Sequence, residues 1–478
     1  ITVLADRGRG KSSALGLALA RLPPETDVVV TAESEGQAAE IFRFAEGRGR
    51  FRAISELLHH DERPEVLVVD EAAQIPVFVL ERLAVRFPQA KIAFATTARG
   101  YEGTGRGFVL RFLAWARRQP RPLHCHELHA PIRWDEGDPL ERFVLDVLAL
   151  DAEPAEPPEG LELRCELLDR DALDETRLRE VFGLLVHAHY RTTPSDLHRM
   201  LDAPNLAVHV ATIAGRVVGA SLIAREGGLP EALCDRLARG RERVHGHALP
   251  DTLITHSGRP EAGTLQMVRS VRIAVHPAAR LRGIARALVD HVHATYDPDL
   301  FGTLFGATPE LLSFRRALGY RLVRVGMSRG RRSGEPAAVM VRPVSPRAVA
   351  LVDELRASLA WNLPAQCELL DRDLALDPAL AASFREDLPH APEPTPEQVS
   401  AAVRRYVSGP QPSDAVAWAL ERWVRSHPAA LAALDAKARA IVEGRVLDRR
   451  AWTDLGAPVP WAMRALRPAM ARLFEAAG

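Results

Sequence analysis

The sequence predicts an α/β protein in three parts: a parallel sheet carrying a phosphate-binding turn, a second mixed α/β unit, and an all-helical tail. Three observations lead there. Short apolar runs at residues 1–4, 28–30, 66–69 and 92–97 alternate with helical stretches, the pattern of buried parallel strands with helices between them. A Glu- and Pro-rich segment at 153–160 then breaks the pattern like a linker, and strand–turn–strand units follow it. Beyond residue 346 the chain becomes Ala-rich with helical periodicity. The expected division is therefore 1–150, 151–345 and 346–478, in line with roughly three domains for 478 residues.

Composition excludes several classes. With 47% apolar and 26% charged residues the composition is that of an ordinary globular protein and excludes a mainly disordered chain. No apolar run is long enough to span a membrane. Cys125, Cys165, Cys234 and Cys367 are too scattered for a disulfide framework, so a reducing, cytoplasmic setting is expected. The formal net charge is zero, so a nucleic-acid partner must be held by local basic patches. Ile1 is not Met and already reads as the start of a strand, so a missing N-terminal part is expected and no leader can be judged. Only three of the 62 basic residues are Lys, and one of them, Lys11, sits in the first motif.

That motif follows the first strand. Ala5-Asp6-Arg7-Gly8-Arg9-Gly10-Lys11-Ser12 leads into a helical stretch at 13–22, which gives a P-loop in its required strand–turn–helix context. The glycines let backbone N–H groups curl round phosphates, Lys11 adds a compact cation, and Ser12 a hydroxyl for Mg²⁺. Ala5 departs from the usual glycine. The strand at 66–69 ends in Asp70-Glu71-Ala72-Ala73-Gln74. Asp70 is placed to hold hydrated Mg²⁺ and Glu71 to polarise an attacking water. The glycine-dense turn at 100–107 is either a nucleotide or RNA sensor or a plain loop. Arg133 is a candidate for stabilising γ-phosphate charge. His124, Cys125, His126 and His129 suggest a metal cluster only at first glance, because strand alternation splits them between two faces.

In the second part, residues 177–190 and 195–201 read as helices. Two strands at 206–213 and 217–224 flank the turn Ala214-Gly215. A strand at 268–275 runs into His276-Pro277-Ala278-Ala279 and Arg280-Leu281-Arg282-Gly283-Ile284-Ala285, then a helix to His293. Gly283 and Ala285 lack bulk, so N–H groups at a helix N-terminus can approach a diphosphate, with Arg280, Arg282 and Arg286 adding charge. A strand at 300–306, a helix at 309–318 and a strand at 321–326 follow. The loop and this order resemble the pyrophosphate loop and second half of the GCN5-related N-acetyltransferases, in which the pantetheine arm of acetyl-CoA lies between two splayed strands. Many of those enzymes use a late-helix Tyr as acid to the leaving thiolate, and the helix at 309–318 has none. Tyr320 and His276 are either structural or catalytic, and His276 or Glu310 are candidates to assist deprotonation.

Taken together, Asp70-Glu71-Ala72-Ala73-Gln74-Ile75-Pro76, the 100–108 turn, Pro131-Ile132-Arg133-Trp134, Ala188-His189-Tyr190-Arg191-Thr192, Asp202-Ala203-Pro204 and Arg272-Ile273-Ala274-Val275-His276-Pro277 closely resemble the bacterial tRNA(Met) cytidine acetyltransferases. The resemblance runs to about Pro346. It implies a RecA-like, helicase-type ATPase domain joined to an acetyltransferase domain, forming N4-acetylcytidine at the wobble position of elongator tRNA(Met) from acetyl-CoA with ATP or GTP hydrolysis. It further implies nucleotide contacts by Gly8, Arg9, Gly10, Lys11, Ser12, Ser13 and Arg133, beside the Mg²⁺ site expected at Ser12 and Asp70 and the catalytic role expected for Glu71 from the motifs themselves. It places acetyl-CoA against Ile273, Ala274, Val275, Arg280, Leu281, Arg282, Gly283, Ile284, Ala285 and Arg286, with Glu310 near. The family usually carries a further N-terminal domain, including a Gln that helps hold the nucleotide.

The tail turns basic late: residues 401–478 hold 12 basic and 7 acidic side chains, against 4 and 10 in 346–400. Arg404 and Arg405, with Arg422, Arg425, Arg449 and Arg450, are candidates for tracking tRNA phosphates, with Tyr406, Trp418 and Trp423 between them. No obligate protein partner is expected. Two other readings stay open: an ATP-driven RNA remodeller with a CoA-sensing module, and a protein acetyltransferase.

Overall fold

The computed structural model describes residues 1–97, 108–160, 162–188, 193–329 and 334–477. The glycine-dense 100–107 turn and the His189-Tyr190-Arg191-Thr192 motif lie outside them. No described helix is long and apolar enough to cross a membrane.

The first part is a six-stranded, wholly parallel sheet: β1 (Thr2–Ala5), β2 (Val28–Thr31), β3 (Arg50–Phe51), β4 (Val66–Val69), β5 (Lys91–Thr97) and β6 (Cys125–Leu128). Their order is β3-β2-β4-β5-β1-β6. The apolar runs seen in the sequence are its central strands, and Val29, Val30, Leu67 and Val69 are sealed because helices cover both faces. The helices are α1 (Lys11–Ala20), α2 (Glu35–Phe44), α3 (Ile54–His59), α4 (Val77–Arg86), α5 (Leu113–Ala116) and α6 (Pro139–Val147). The order has a functional consequence. The strand after which the P-loop turns, β1, is separated from the acid-bearing β4 by β5, so three strand ends meet at one edge, where open α/β sheets bind ligands.

The second part is a seven-stranded sheet: β7 (Leu163–Leu167), β8 (Leu206–Ile213), β9 (Arg216–Gly227), β10 (Gln266–Val275), β11 (Leu300–Gly306), β12 (Arg321–Arg329) and β13 (Pro336–Pro343). Helices α7 (Glu175–Ala188), α8 (Pro194–Asp202), α9 (Glu231–Ala238), α10 (Ala248–Thr255), α11 (Ile284–Thr295) and α12 (Pro309–Arg316) surround it. The hairpin turn is two-residue, with Ala214 and Gly215 both at positive φ, matching the right-handed strand twist. The order β12-β13-β11-β10-β9-β8-β7 contains a single parallel pair, β10 with β11. They pair only from Met267–Leu300 to Ser270–Thr303. Beyond that point β10 stays with β9 and β11 with β13, so the sheet is split between them. The β10–β9 register shifts at the closed end of the split, between Ser270 and Arg272.

The tail opens with α13 (Pro346–Leu374), then α14 (Pro378–Arg385), α15 (Pro396–Ser408), α16 (Ala417–Ser426), α17 (Pro428–Ala432), α18 (Ala436–Val442) and α19 (Val459–Ala477). The expected boundary at 346 coincides with the Ser345 cap of α13, but not with an edge of packing. Ala348, Leu351, Val352 and Leu355 join the core of the second part, and Leu359, Leu363 and Leu370 pack into the cluster holding Tyr320 and Leu322. The helix that begins the tail thus completes the sheet's core. The first and second parts also touch: a Cβ added at Gly334 would fall 2.4 Å from the ring of Phe78, on the helix that follows Asp70 and Glu71.

Candidate active site

The first site forms at the ends of β1, β4 and β5. Gly8 and Gly10 sit at φ +79 and +74, which only glycine adopts without strain. Neither has room for a side chain: a Cβ on Gly8 would strike the Trp134 ring and one on Gly10 the Ile132 side chain. The Pro131-Ile132-Arg133-Trp134 segment is therefore the outer wall of the turn. It is pinned by the Ile132 amide donating to the Gly8 carbonyl at 2.8 Å. Arg9 is committed to that wall, with Nη1 2.6 Å from Glu141, which also accepts from Trp134 Nε1. Arg133 donates its backbone amide to the Gly8 carbonyl while its side chain stays exposed beside the turn.

Lys11 is buried. Its Nζ donates to Thr97 Oγ1 at 3.0 Å and lies 3.6 Å from Glu71. Ser13 bonds Glu40 at 3.2 Å, on the side facing α2. Asp70 is 1% exposed; burial pushes its carboxyl up to about 6, opposed mainly by the nearby Ser12 hydroxyl and joined by the repulsion of Glu71. One oxygen accepts from the Glu71 amide, and the other, Oδ2, is sealed without a partner. A buried carboxylate oxygen lacking a donor, next to a hydroxyl, is a hard-oxygen set that fits Mg²⁺. Glu71 sits at φ +43, a strained conformation for a non-glycine residue, of the kind that clusters at functional sites. Sequence reasoning missed Thr97, whose place beside Lys11 depends on β5 lying between β1 and β4.

The second site lies along the split and the loop after it. Ile273, Ala274 and Val275 form the last turn-ward stretch of β10, beyond the point where β11 has left it. His276 then caps the turn: its Nδ1 accepts from the Ala278 amide at 3.2 Å, and burial lowers its pKa. It is a neutral cap, with one nitrogen already committed to holding the loop. Leu281 is fully exposed at φ +62 and Gly283 sits at φ +80, so the chain turns tightly into the helix that follows. Space around Gly283 is open, and α11 starts immediately after it with no side-chain cap. That leaves helix N-terminal N–H groups free for an anion. Arg280 is exposed, Arg282 bonds the Gly160 carbonyl, and Arg286 bonds the Ala317 carbonyl. Ile284 is buried as the loop's anchor, Ala285 keeps the first turn low, and Glu310 is exposed in the first turn of α12.

The tail changes one reading. Tyr406 and Trp418 are core residues, and Trp423 stacks on His427 at 4.1 Å, so these rings serve packing rather than base stacking. Arg422, Arg425 and Arg449 are paired with Glu393, Glu421 and Glu368, and Arg450 bonds the Asp454 carbonyl. Arg404 is exposed, whereas its neighbour Arg405 turns inward and lines a cavity of about 50 Å³ with His256, Arg324 and Gln411. Adjacent residues on a helix point in different directions, which the doublet conceals in the sequence.

A P-loop cradle with its acid pair, joined in one chain to a split sheet that opens onto a helix N-terminus, defines a nucleotide-binding domain of RecA type fused to an N-acetyltransferase fold. Residues 2–151 match the helicase domain of the RNA cytidine acetyltransferases NAT10/TcmA, and residues 180–299 match a GNAT acetyltransferase family. The chain belongs to the tRNA(Met) cytidine acetyltransferase family. The relative from Nitrosococcus halophilus is 38% identical over 97% of this chain and 66% of its own length. That from Vibrio cholerae is 32% identical over 95% and 65%, and that from Haloferax volcanii 41% identical over 72% and 50%. The chain thus spans between about half and two thirds of the curated relatives it matches.

Proposed function

We propose that the protein transfers an acetyl group from acetyl-CoA to the N4 amine of the wobble cytidine in elongator tRNA(Met), with ATP or GTP hydrolysis presenting the base. The observation that carries this reading is the pairing in one chain of a P-loop turn with its acid pair and a split sheet that opens onto a helix N-terminus, in a family whose relatives are named tRNA(Met) cytidine acetyltransferases.

At the cradle, the amides of residues 8–13 surround the phosphates and Lys11 leaves Thr97 and Glu71 to meet them. Ser12 and the unpartnered oxygen of Asp70 would hold Mg²⁺, which when bound would supply positive charge against the nucleotide phosphates. Glu71 orients the attacking water and Arg133 reaches the γ-phosphate from the outer wall. At the split, the backbone of Ile273–Val275 binds the pantetheine arm, and the amides of residues 281–286 with Arg280 take the diphosphate. His276 is a positioning residue that fixes this loop. Hydrolysis is not needed to activate a thioester, so its work is mechanical: unstacking the cytidine costs a few kcal/mol, well within one nucleotide cycle. The exposed Arg404 contributes to a salt-sensitive tRNA surface.

The test is mass spectrometry of nucleosides from tRNA(Met) incubated with the protein, acetyl-CoA and ATP. N4-acetylcytidine at the wobble position supports the reading. Its absence, with acetylated protein found instead, would replace it with a protein acetyltransferase.

A further inference from the structure

The second part contains a charge for which the described residues supply no counter-charge. Arg315, on α12, is 5% exposed. Its Nη2 donates to Ser270 Oγ at 3.2 Å, and its Nη1 is sealed with no partner at all. The guanidinium lies over the rings of Phe314 and Tyr320, 5.5 and 5.4 Å from their centres. Among the described residues no carboxylate pairs with it. The ionisable groups around it worsen the deficit. Tyr320 is a buried phenol pushed towards its neutral form and bonded to His293 on α11. His293 is held down to about 4 by burial and by Arg342 of β13 and Arg315, hence neutral too. A guanidinium stays charged, and a charge taken out of water needs an opposite charge or a full set of acceptors.

Its position says where that charge comes from. Ser270 is the last residue of β10 paired with β11, through Thr303, whose hydroxyl donates to the Ser270 carbonyl. Arg315 therefore stands at the closed end of the split, where the two strands part and the β10 register breaks. An acyl chain entering the split from the 280–286 loop ends there. Acetyl transfer creates negative charge on one atom of the donor, the sulfur.

We propose that Arg315 is a catalytic residue that receives the departing thiolate of CoA. This rests on the acetyl-CoA reading of the split. The N4 lone pair attacks the thioester carbonyl carbon and a C–N bond forms. The C–S bond breaks, its electron pair leaves on sulfur, and Arg315 Nη1–H donates to that thiolate. The N4 proton passes to water. Tyr320, already bonded to His293, serves as the stacked support beneath the guanidinium and not as the acid.

The direct test is the thiol of CoA bound to the full chain, titrated by the ultraviolet absorbance of its thiolate. Bound to the unmodified protein, the thiol should titrate about one unit or more below free CoA, as expected for a group beside a fixed cation. In Arg315→Met the bound thiol should return to the free value or above it, with CoA affinity changed little and single-turnover transfer reduced on the order of a hundredfold. Arg315→Lys should retain part of the shift. A bound thiol that titrates like free CoA in the unmodified protein overturns the proposal, and this measurement stands even where Arg315→Met does not fold. An equal lowering in Arg315→Met overturns it as well. Failure of CoA to bind the unmodified protein is a different result, which removes the acetyl-CoA reading itself.

Discussion

Lys11 Nζ and Thr97 Oγ1, 3.0 Å apart, join the turn after β1 to the end of β5, and the same hydroxyl lies 3.4 Å from Glu71 at the end of β4. The contact exists only because β5 is threaded between the phosphate-binding strand and the acid-bearing strand. It holds the lysine ammonium against a neutral hydroxyl, 3.6 Å from the Glu71 carboxylate. Thr97→Val should keep the fold but remove the relay between Lys11 and Glu71. We expect nucleotide hydrolysis to fall roughly tenfold or more with smaller loss of binding, measured by phosphate release and by titration with a fluorescent nucleotide. Unchanged hydrolysis would make Thr97 a mere resting place for the lysine.

Asp70 is predicted to trade stability for metal binding. Its folded pKa of about 6 lies above the ordinary carboxylate value, so the native state binds the extra proton. Stability from this group is complete at low pH and is lost as pH rises towards 6. Asp70→Asn does not titrate. In metal-free buffer near neutral pH it should be the more stable protein by up to about 3 kcal/mol, with the gap closing near pH 4, while Mg²⁺-dependent hydrolysis is abolished. Thermal melts across this range check it; a variant less stable at every pH would contradict the account.

Gly283→Glu should weaken acetyl-CoA binding strongly while leaving ATP hydrolysis intact. Space beyond Gly283 is open, so the side chain itself fits and the damage is electrostatic, plus modest strain from φ +80. Affinity should fall roughly a hundredfold. Calorimetry showing undiminished CoA affinity would dissociate this loop from the acetyl-CoA site.

The tail arginines should separate. Arg404→Glu should stay folded, weaken tRNA binding and lower the salt dependence by about one counterion. Arg405→Glu alters a side chain that lines an interior cavity and should act first on stability. Equal, purely binding effects of both would place Arg405 on the surface.

These sites were unequally legible. The P-loop, Asp70-Glu71 and the 280–285 loop could be read because each is a run of neighbours whose chemistry and backbone needs are local. The apolar runs announced the parallel strands for the same reason. Thr97 could not be read, since its role depends on strand order. Nor could Arg315, which in sequence is one arginine of a pair on a helix lacking the expected Tyr. Its neighbour Arg316 is held by Glu386 and Asp387, and only the fold shows that Arg315 has no such partner among the described residues. The tail aromatics misled because a ring interspersed among arginines looks alike whether it faces a base or a core. The 346 boundary marked a helix start correctly and said nothing of what that helix packs against.

The central claim is that the two halves act as one machine, and Phe78 seated on Gly334 supplies a contact between them. One assay tests it most directly: N4-acetylcytidine formed per tRNA by Lys11→Ala, with CoA affinity and nucleotide hydrolysis measured on the same preparation. Lys11→Ala should leave CoA affinity unaltered, lower hydrolysis on the order of a hundredfold or more, and lower acetylation with it. Normal acetylation by a variant that no longer hydrolyses nucleotide would contradict it, leaving two independent modules in one chain.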